Sequence, residues 1–310
     1  MKNNNITYIK KSILDSFRGL YFDEDTHTYT WNGNQLISTT TYIGRFSDSF
    51  DPWWPSESKG KKNTKLNPDD RRTGQYYRQR WKFLGGEASN MGNRVHLFAE
   101  SYPNFDLPFC PKEQGVLDFF NWLPNNYSIL FSELRVFDRE HLKAGTIDCI
   151  AYNKDTGKLV IIDWKTNNRS ILEYYNNKKL KSPFNHLKAT NLNKYSLQLS
   201  DYANILNNYT DYEVEEIWVI WLSNKKVYSK DSDRNKDYHI NKVKPFLNEK
   251  NFKIFKLEDY TEDINNFIKE DKPNLVKDVK KAKPKKGLFS KKTKTMSGKR
   301  SLTDLIKKDK

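Results

Sequence analysis

Cysteine is nearly absent, with two residues in 310, Cys110 and Cys149. Two thiols cannot build a disulfide framework or a four-cysteine metal cluster, so no iron–sulfur centre is expected. Long apolar runs are missing too. Mean hydropathy is −0.90, and no segment approaches the roughly 18–20 apolar residues that cross a bilayer. The opening MKNNNITYIKKS has no apolar core of a secretory signal. No G-x-x-x-x-G-K-[ST] phosphate loop occurs, and the basic stretch Ser58-Lys59-Gly60-Lys61-Lys62 lacks its spacing. A nucleotide cofactor or ATP-driven motor is therefore not expected. No internal repeat is present. Aromatics, by contrast, reach 14%, with 18 Tyr, 18 Phe and 8 Trp. A disordered chain would lack them. These features predict a soluble intracellular protein with a packed core and no membrane partner.

The formal charge is +15, and its placement matters more than its size. Residues 276–310 carry 14 Lys/Arg against 3 Asp/Glu, a net of +11, which leaves only +4 for residues 1–275. The tail KDVKKAKPKKGLFSKKTKTMSGKR has almost no apolar residues and reads as disordered and solvated. It is either a solubilising segment or a sequence-blind arm for phosphate backbones, acting by counterion release. At its end, Ser301-Leu302-Thr303-Asp304-Leu305-Ile306 has a capping-box pattern that could form a short helix docking a partner.

Ahead of the tail, Asn32-Gly33 between β-prone runs predicts a hairpin. Residues 48–70, with Asp51-Pro52-Trp53-Trp54-Pro55 and a run of lysines, read as an irregular loop. Helical periodicity covers residues 75–102 and 112–122, and the period then changes. Residues 129–137 and 145–152 read as strands, and Leu159-Val160-Ile161-Ile162 is a continuous apolar run of the buried-strand type. Tyr195, Leu199, Tyr202 and Leu206 form one helical stripe, and residues 214–222 another strand. Short strand-like pieces at 238–240 and 252–255 and a weak helix follow. This order predicts an α/β layer structure with a mixed sheet flanked by helices.

Asp163-Trp164-Lys165 ends the apolar strand, and Asp148 lies fifteen residues earlier in Gly145-Thr146-Ile147-Asp148. Adjacent antiparallel strands would bring the two carboxylates together, and a divalent cation relieves the repulsion between them. Oxygen ligands suit Mg²⁺ or Mn²⁺, which keep waters for chemistry. Lys165 shares the face of Asp163 by the period of two, where an ammonium could orient or deprotonate a water or offset charge developing on a phosphate. An Asp-x-Lys triplet by itself carries little weight, since Asp278-Val279-Lys280 in the tail is another without a strand. His96 and Glu100 share a helix face, as do Gln198 and Tyr202. Taken singly, His96 is an ordinary structural histidine and Tyr202 an ordinary core residue.

Taken together and in order, these pieces resemble the PD-(D/E)XK nuclease superfamily, in the branch of RecB-type and related phage exonucleases. The matching segments are Gly92-Asn93-Arg94-Val95-His96 with Glu100, Gly145-Thr146-Ile147-Asp148, Ile161-Ile162-Asp163-Trp164-Lys165-Thr166, and Tyr195-Ser196-Leu197-Gln198-Leu199-Ser200-Asp201-Tyr202. Residues 21–51, with His27-x-Tyr29 and Ser38-Thr39-Thr40, are similar to the front segment of phage members. The resemblance spans about residues 20–225.

It implies a restriction-endonuclease-like core at about 90–225, preceded by a hairpin and helical segment at 20–89. Together these make one domain over residues 1–275, followed by the tail at 276–310. It implies His96, Asp148, Asp163 and the Trp164 carbonyl as ligands of Mg²⁺ or Mn²⁺ and Lys165 as the catalytic lysine. Gln198 and Tyr202 would support the site over the phosphate or the carboxylates, Glu100 is a further supporting acid, and Glu133 is an acid behind the ligands or on a second metal. Relatives that carry an iron–sulfur cluster use four cysteines, which this chain lacks. Arg94, Lys285, Lys286, Lys291 and Lys292 are the expected phosphate contacts. The expected activity is metal-dependent hydrolysis of DNA, as an exonuclease in phage-type replication, recombination or repair, with a replication, recombination or virion partner on the tail. The competing reading is a nucleic-acid-binding or virion-associated protein that keeps the fold without catalysis.

Overall fold

The computed structural model describes residues 5–175, 177–227, 238–240 and 243–268. The tail, with Lys285, Lys286, Lys291, Lys292 and the 301–306 segment, lies outside the described residues. The first helix, α1 (Ile6–Ser16), is capped by Asn5, whose side chain accepts the Thr7 N–H at 2.9 Å. Its stripe of Ile9, Ile13 and the following Phe17 is buried. That i, i+4, i+8 spacing is readable in the sequence. A small sheet follows, made of β1 (Tyr21–Asp23), β2 (Thr28–Trp31) and β3 (Asn34–Gln35). Asn32 (φ 48°) and Gly33 (φ 77°) make the expected turn between β2 and β3, because a type I′ turn needs two positive φ angles.

The chain then leaves this sheet for the main one. β4 (Ile37–Ser38) pairs in parallel with a central strand, and Ser38 caps α2 (Thr39–Gly44) by accepting the Thr41 N–H at 3.1 Å. The expected loop at 48–70 is instead largely helical, α3 (Trp53–Leu66), packed on α4 (Gly74–Glu100). Pro55 falls in the first turn, where its missing N–H costs nothing. The remainder is polar and shows no apolar stripe, so its helicity comes from tertiary contact. Gly60 lies against the Thr73–Gly74 backbone so closely that a Cβ would stand 2.6 Å from the Gly74 nitrogen. Arg78 pairs with Glu57 at 2.5 Å and covers the Trp53 ring at 4.2 Å.

After α5 (Pro111–Trp122), β5 (Tyr127–Asp138), β6 (Lys143–Asn153) and β7 (Lys158–Lys165) form an antiparallel meander. The small β8 (Glu173–Tyr175) and then α6 (Asn191–Tyr209) lead to β9 (Val214–Trp221), which is parallel to β7. β10 (Tyr238–Ile240) pairs with β8, while β11 (Leu247–Asn248) and β12 (Lys253–Lys256) extend the main sheet. Residues 261–268 are helical. The main sheet runs β11-β12-β9-β7-β6-β4, with β5 on β6. It is mixed and flanked by helices.

Strand alternation divides the core between its two faces. Ala151, Val160, Ile162, Trp164, Trp218 and Ile220 pack with Val95 and Ala99 of α4 and with Val116 and Phe119 of α5. Tyr152, Leu159, Ile161, Ile217, Val219 and Trp221 face Ile9 and Ile13 of α1 and Leu199, Tyr202 and Leu206 of α6. β7 is buried on both faces, which is why it reads as an unbroken apolar run.

Candidate active site

β6 and β7 pair in register as far as Cys149 opposite Ile162. The next residues are Asp148 and Asp163, and there the ladder ends. The Trp164 N–H, left without a carbonyl across the gap, is taken by the Asp148 carboxylate at 2.9 Å. On the other side of β6, Ser132 and Leu134 of β5 pair with Cys149 and Ile147, which sets Glu133 across from Asp148. Glu133 has φ 59°, a left-handed conformation that costs a non-glycine residue about 1 kcal/mol or more. α4 brings His96 over this edge, with Nδ1 3.5 Å from Asp148 and 3.8 Å from Glu133. Ligand atoms of His96, Glu133 and Asp148 all lie within 4.8 Å of one another.

Asp163 is 2% exposed, and Lys165 Nζ lies 2.6 Å from its Oδ2. The approach is off the direction of a hydrogen bond, so this buried oxygen has no aligned donor among the described residues. Burial pushes the Asp163 carboxyl up to about 6, against the pull of Lys165 and with the push of Asp148. Burial works in the opposite sense on Lys165, yet Asp163 and Asp148 hold its ammonium above the usual lysine range. Its Nζ rests 4.5 Å over the Tyr195 ring. Burial also works against a charge on His96, but Asp148 and Glu133 override it and raise the imidazole to about 9. The two carboxylates thus draw a proton onto His96.

The donor set of His96, Glu133 and Asp148, one imidazole and two carboxylates, is one that a divalent cation fits. One imidazole among oxygens favours Mn²⁺, with Mg²⁺ next. Asp163 lies outside the close trio, while Glu133, expected as an acid behind the ligands or on a second metal, lies within it. Trp164 lines the cleft over this edge, a space of about 540 Å³ bordered also by Ala88, Ser89, Lys165 and Asn191.

α6 supports the site from below. Tyr195 donates to the Asn167 side chain at 3.1 Å, and Trp221 donates to the Asn167 carbonyl at 2.9 Å. Lys112 donates to the Thr166 carbonyl and, at 3.2 Å, to Asn168. Sequence reasoning assigned no role to Asn167, Asn168 or Lys112; the polar run Thr166-Asn167-Asn168-Arg169 after a buried strand was the available signal. Gln198 and Tyr202 were expected over the phosphate or the carboxylates. Tyr202 is a core residue whose hydroxyl lies 3.5 Å from the Gln198 amide, whose ring packs against Gly145, and which feels the charges of Asp148 and Asp163. Among the described residues neither makes a hydrogen bond to Asp148 or Asp163. A Cβ on Gly145 would come within 2.5 Å of the Tyr202 ring. Gly145→Ala is therefore expected to lower stability by about 1–3 kcal/mol through overpacking. Urea denaturation checks this, and Tyr202→Phe should be far milder.

Two further expectations take a different form. Arg94 Nε donates to Glu113 at 2.7 Å, and its guanidinium covers the Phe109 ring at 4.2 Å. Glu113 is buried and also accepts the Cys110 N–H at 3.2 Å. Arg94 therefore ties α4 to the start of α5, while its side chain stays 45% exposed. Glu100, one turn beyond His96, is exposed and stands beside Lys10 and Tyr102, outside the acidic trio. No helix among the described residues is long and apolar enough to cross a membrane. No protein-family model matches the chain, and no curated protein matches it significantly.

Proposed function

We propose that this protein is a divalent-cation-dependent nuclease that hydrolyses DNA phosphodiester bonds, with a restriction-endonuclease-like core of the PD-(D/E)XK type. The observation that carries the reading is the convergence at one sheet edge of Glu133, Asp148 and Asp163 from three successive strands, with His96 above and Lys165 held beside Asp163. A bound Mn²⁺ or Mg²⁺ would supply Lewis acidity and an activated water for in-line attack at phosphorus. His96, Glu133 and Asp148 would hold the cation, with Asp163 as a further anionic group at the same sheet edge. The Lys165 ammonium would offset negative charge as it develops on the phosphate oxygens. Tyr195 and Asn167 keep that ammonium in place. Exonuclease action is proposed on the sequence resemblance.

Incubating the purified protein with linear and with circular DNA, in Mn²⁺, Mg²⁺ or EDTA, tests this directly. Cation-dependent loss of linear DNA supports the reading, whereas intact DNA in every metal points to the catalytically inactive binding protein. A second expectation follows from the proton on His96. A cation must displace it, so Mn²⁺ affinity should rise about tenfold per pH unit up to about pH 9 and level off above. Titration calorimetry in buffers of different ionisation enthalpy should show about one proton released per ion. A pH-independent affinity would count against the assignment of His96.

A further inference from the structure

A second groove, of about 550 Å³, opens next to the cleft and is lined by Asp48, Phe50, Asp51, Lys178, Lys179 and Lys194 among others. The two spaces meet at the first turn of α6, where Asn191 borders the cleft and Lys194 the groove. Tyr195, the next residue, carries Lys165 on its ring. The groove and the candidate site are thus joined through consecutive residues.

The groove's acids are already engaged. Asp48 pairs with Lys178 at 3.1 Å and with Lys181 at 3.3 Å. Asp51 accepts the Trp53 N–H at 2.9 Å at the start of α3. Among the described residues neither Lys179 nor Lys194 has an ion-pair partner. Burial draws the Lys194 ammonium below its usual range even though Asp48 opposes it. A partly desolvated cation of this kind gains most from an arriving anion.

Phe50 is 71% exposed and meets Trp81 edge-on at 6.0 Å. A flat exposed ring beside unpaired lysines is the combination that grips single strands, bases stacking on the ring and phosphates on the cations. A duplex has no free base face to offer Phe50, whereas an unpaired strand does. We propose that this groove binds a single-stranded polynucleotide, Phe50 stacking on a base while Lys179 and Lys194 hold the backbone that leads to the cleft. The proposal rests on the nuclease reading for its direction toward the cleft but not for the binding itself.

The test is fluorescence anisotropy of labelled oligo-dT and of a blunt duplex, with the full chain in EDTA so that nothing is hydrolysed. Phe50→Ala should weaken oligo-dT binding about tenfold, the loss of roughly one stacked base. Lys179→Ala with Lys194→Ala should weaken it similarly and flatten its salt dependence by a slope of about 1–2. Blunt-duplex binding should change less than about twofold in each variant, for want of a free base face. Phe50 and Lys179 are exposed, so matching thermal midpoints confirm that the variants are folded. Oligo-dT binding unchanged in all variants overturns the proposal, and an equal loss on duplex overturns the single-strand assignment. A wild-type protein that binds oligo-dT through Phe50 but hydrolyses nothing in Mn²⁺ removes the nuclease reading and leaves the groove. One that degrades DNA while the variants bind and act like wild type does the reverse.

Discussion

Asp163→Asn is expected to bring Mn²⁺-dependent DNA hydrolysis below detection, and Lys165→Ala to cut kcat about 10²–10³-fold, the usual loss for one charge-stabilising donor. The two substitutions fail for different reasons. Asparagine keeps the shape of Asp163 but removes the negative charge, so the cation loses an anionic partner. Alanine at 165 removes the ammonium that Asp163 holds at 2.6 Å and that Tyr195 supports from beneath. Lys165→Arg should recover little, because the cation sits in a space shaped for a single point charge. Folding is the necessary control, since either change leaves a buried charge without its counterpart. Circular dichroism and thermal melts separate loss of chemistry from loss of structure, and nickase and exonuclease assays on the folded variants give the activity. Wild-type activity in either folded variant would rule out the proposed mechanism.

The second large effect concerns stability and needs no assumption about function. Lys143 at the start of β6 and Asp201 in the middle of α6 form an ion pair with both side chains 0% exposed. Thr39 of α2 donates to the other carboxylate oxygen at 2.9 Å, and the Lys143 ammonium lies 4.8 Å over the Tyr42 ring. Asp201→Ala strands a buried ammonium, and Lys143→Ala strands a buried carboxylate. Each should cost about 3–5 kcal/mol, a large share of the roughly 5–15 kcal/mol that holds a domain together. The midpoint of thermal unfolding should fall by about 10 °C. Replacing Lys143, Asp201 and Thr39 together by Met, Leu and Val should recover most of the loss, because no charge is then left unpaired. A shift under about 2 °C for Asp201→Ala would mean that water reaches the pair. The pair also bears on the site, since it clamps the helix that seats Tyr202 against Gly145 and Tyr195 beneath Lys165.

Much of the fold was readable where local patterning and burial agree. The hairpin at Asn32-Gly33, the helices α4, α5 and α6 and the strands β5, β6, β7 and β9 all have strong periodicity or unbroken apolar runs. α3 was not readable, because a lysine-rich segment with prolines at its start has no stripe to announce a helix. Its partner is the backbone at Thr73–Gly74, admitted by Gly60. The residues around Asp201 likewise say nothing of Lys143 or Thr39, which lie 58 and 162 residues away from Asp201.

The sequence by itself determined that Asp148, Asp163 and Lys165 would converge, because a period of two and one antiparallel turn leave their strands little choice of register. Composition alone determined how the charge is divided, a nearly balanced body carrying a basic tail. Only the tertiary structure decided the rest. Glu133 joins His96 and Asp148 through a left-handed backbone angle that its neighbours in sequence do not announce. Arg94 pairs with Glu113, and Tyr202 packs on Gly145, partners that their motif positions do not state. The physical reason is the same each time. A local pattern states which face a side chain occupies, whereas its partner is chosen by elements that arrive from elsewhere in the chain.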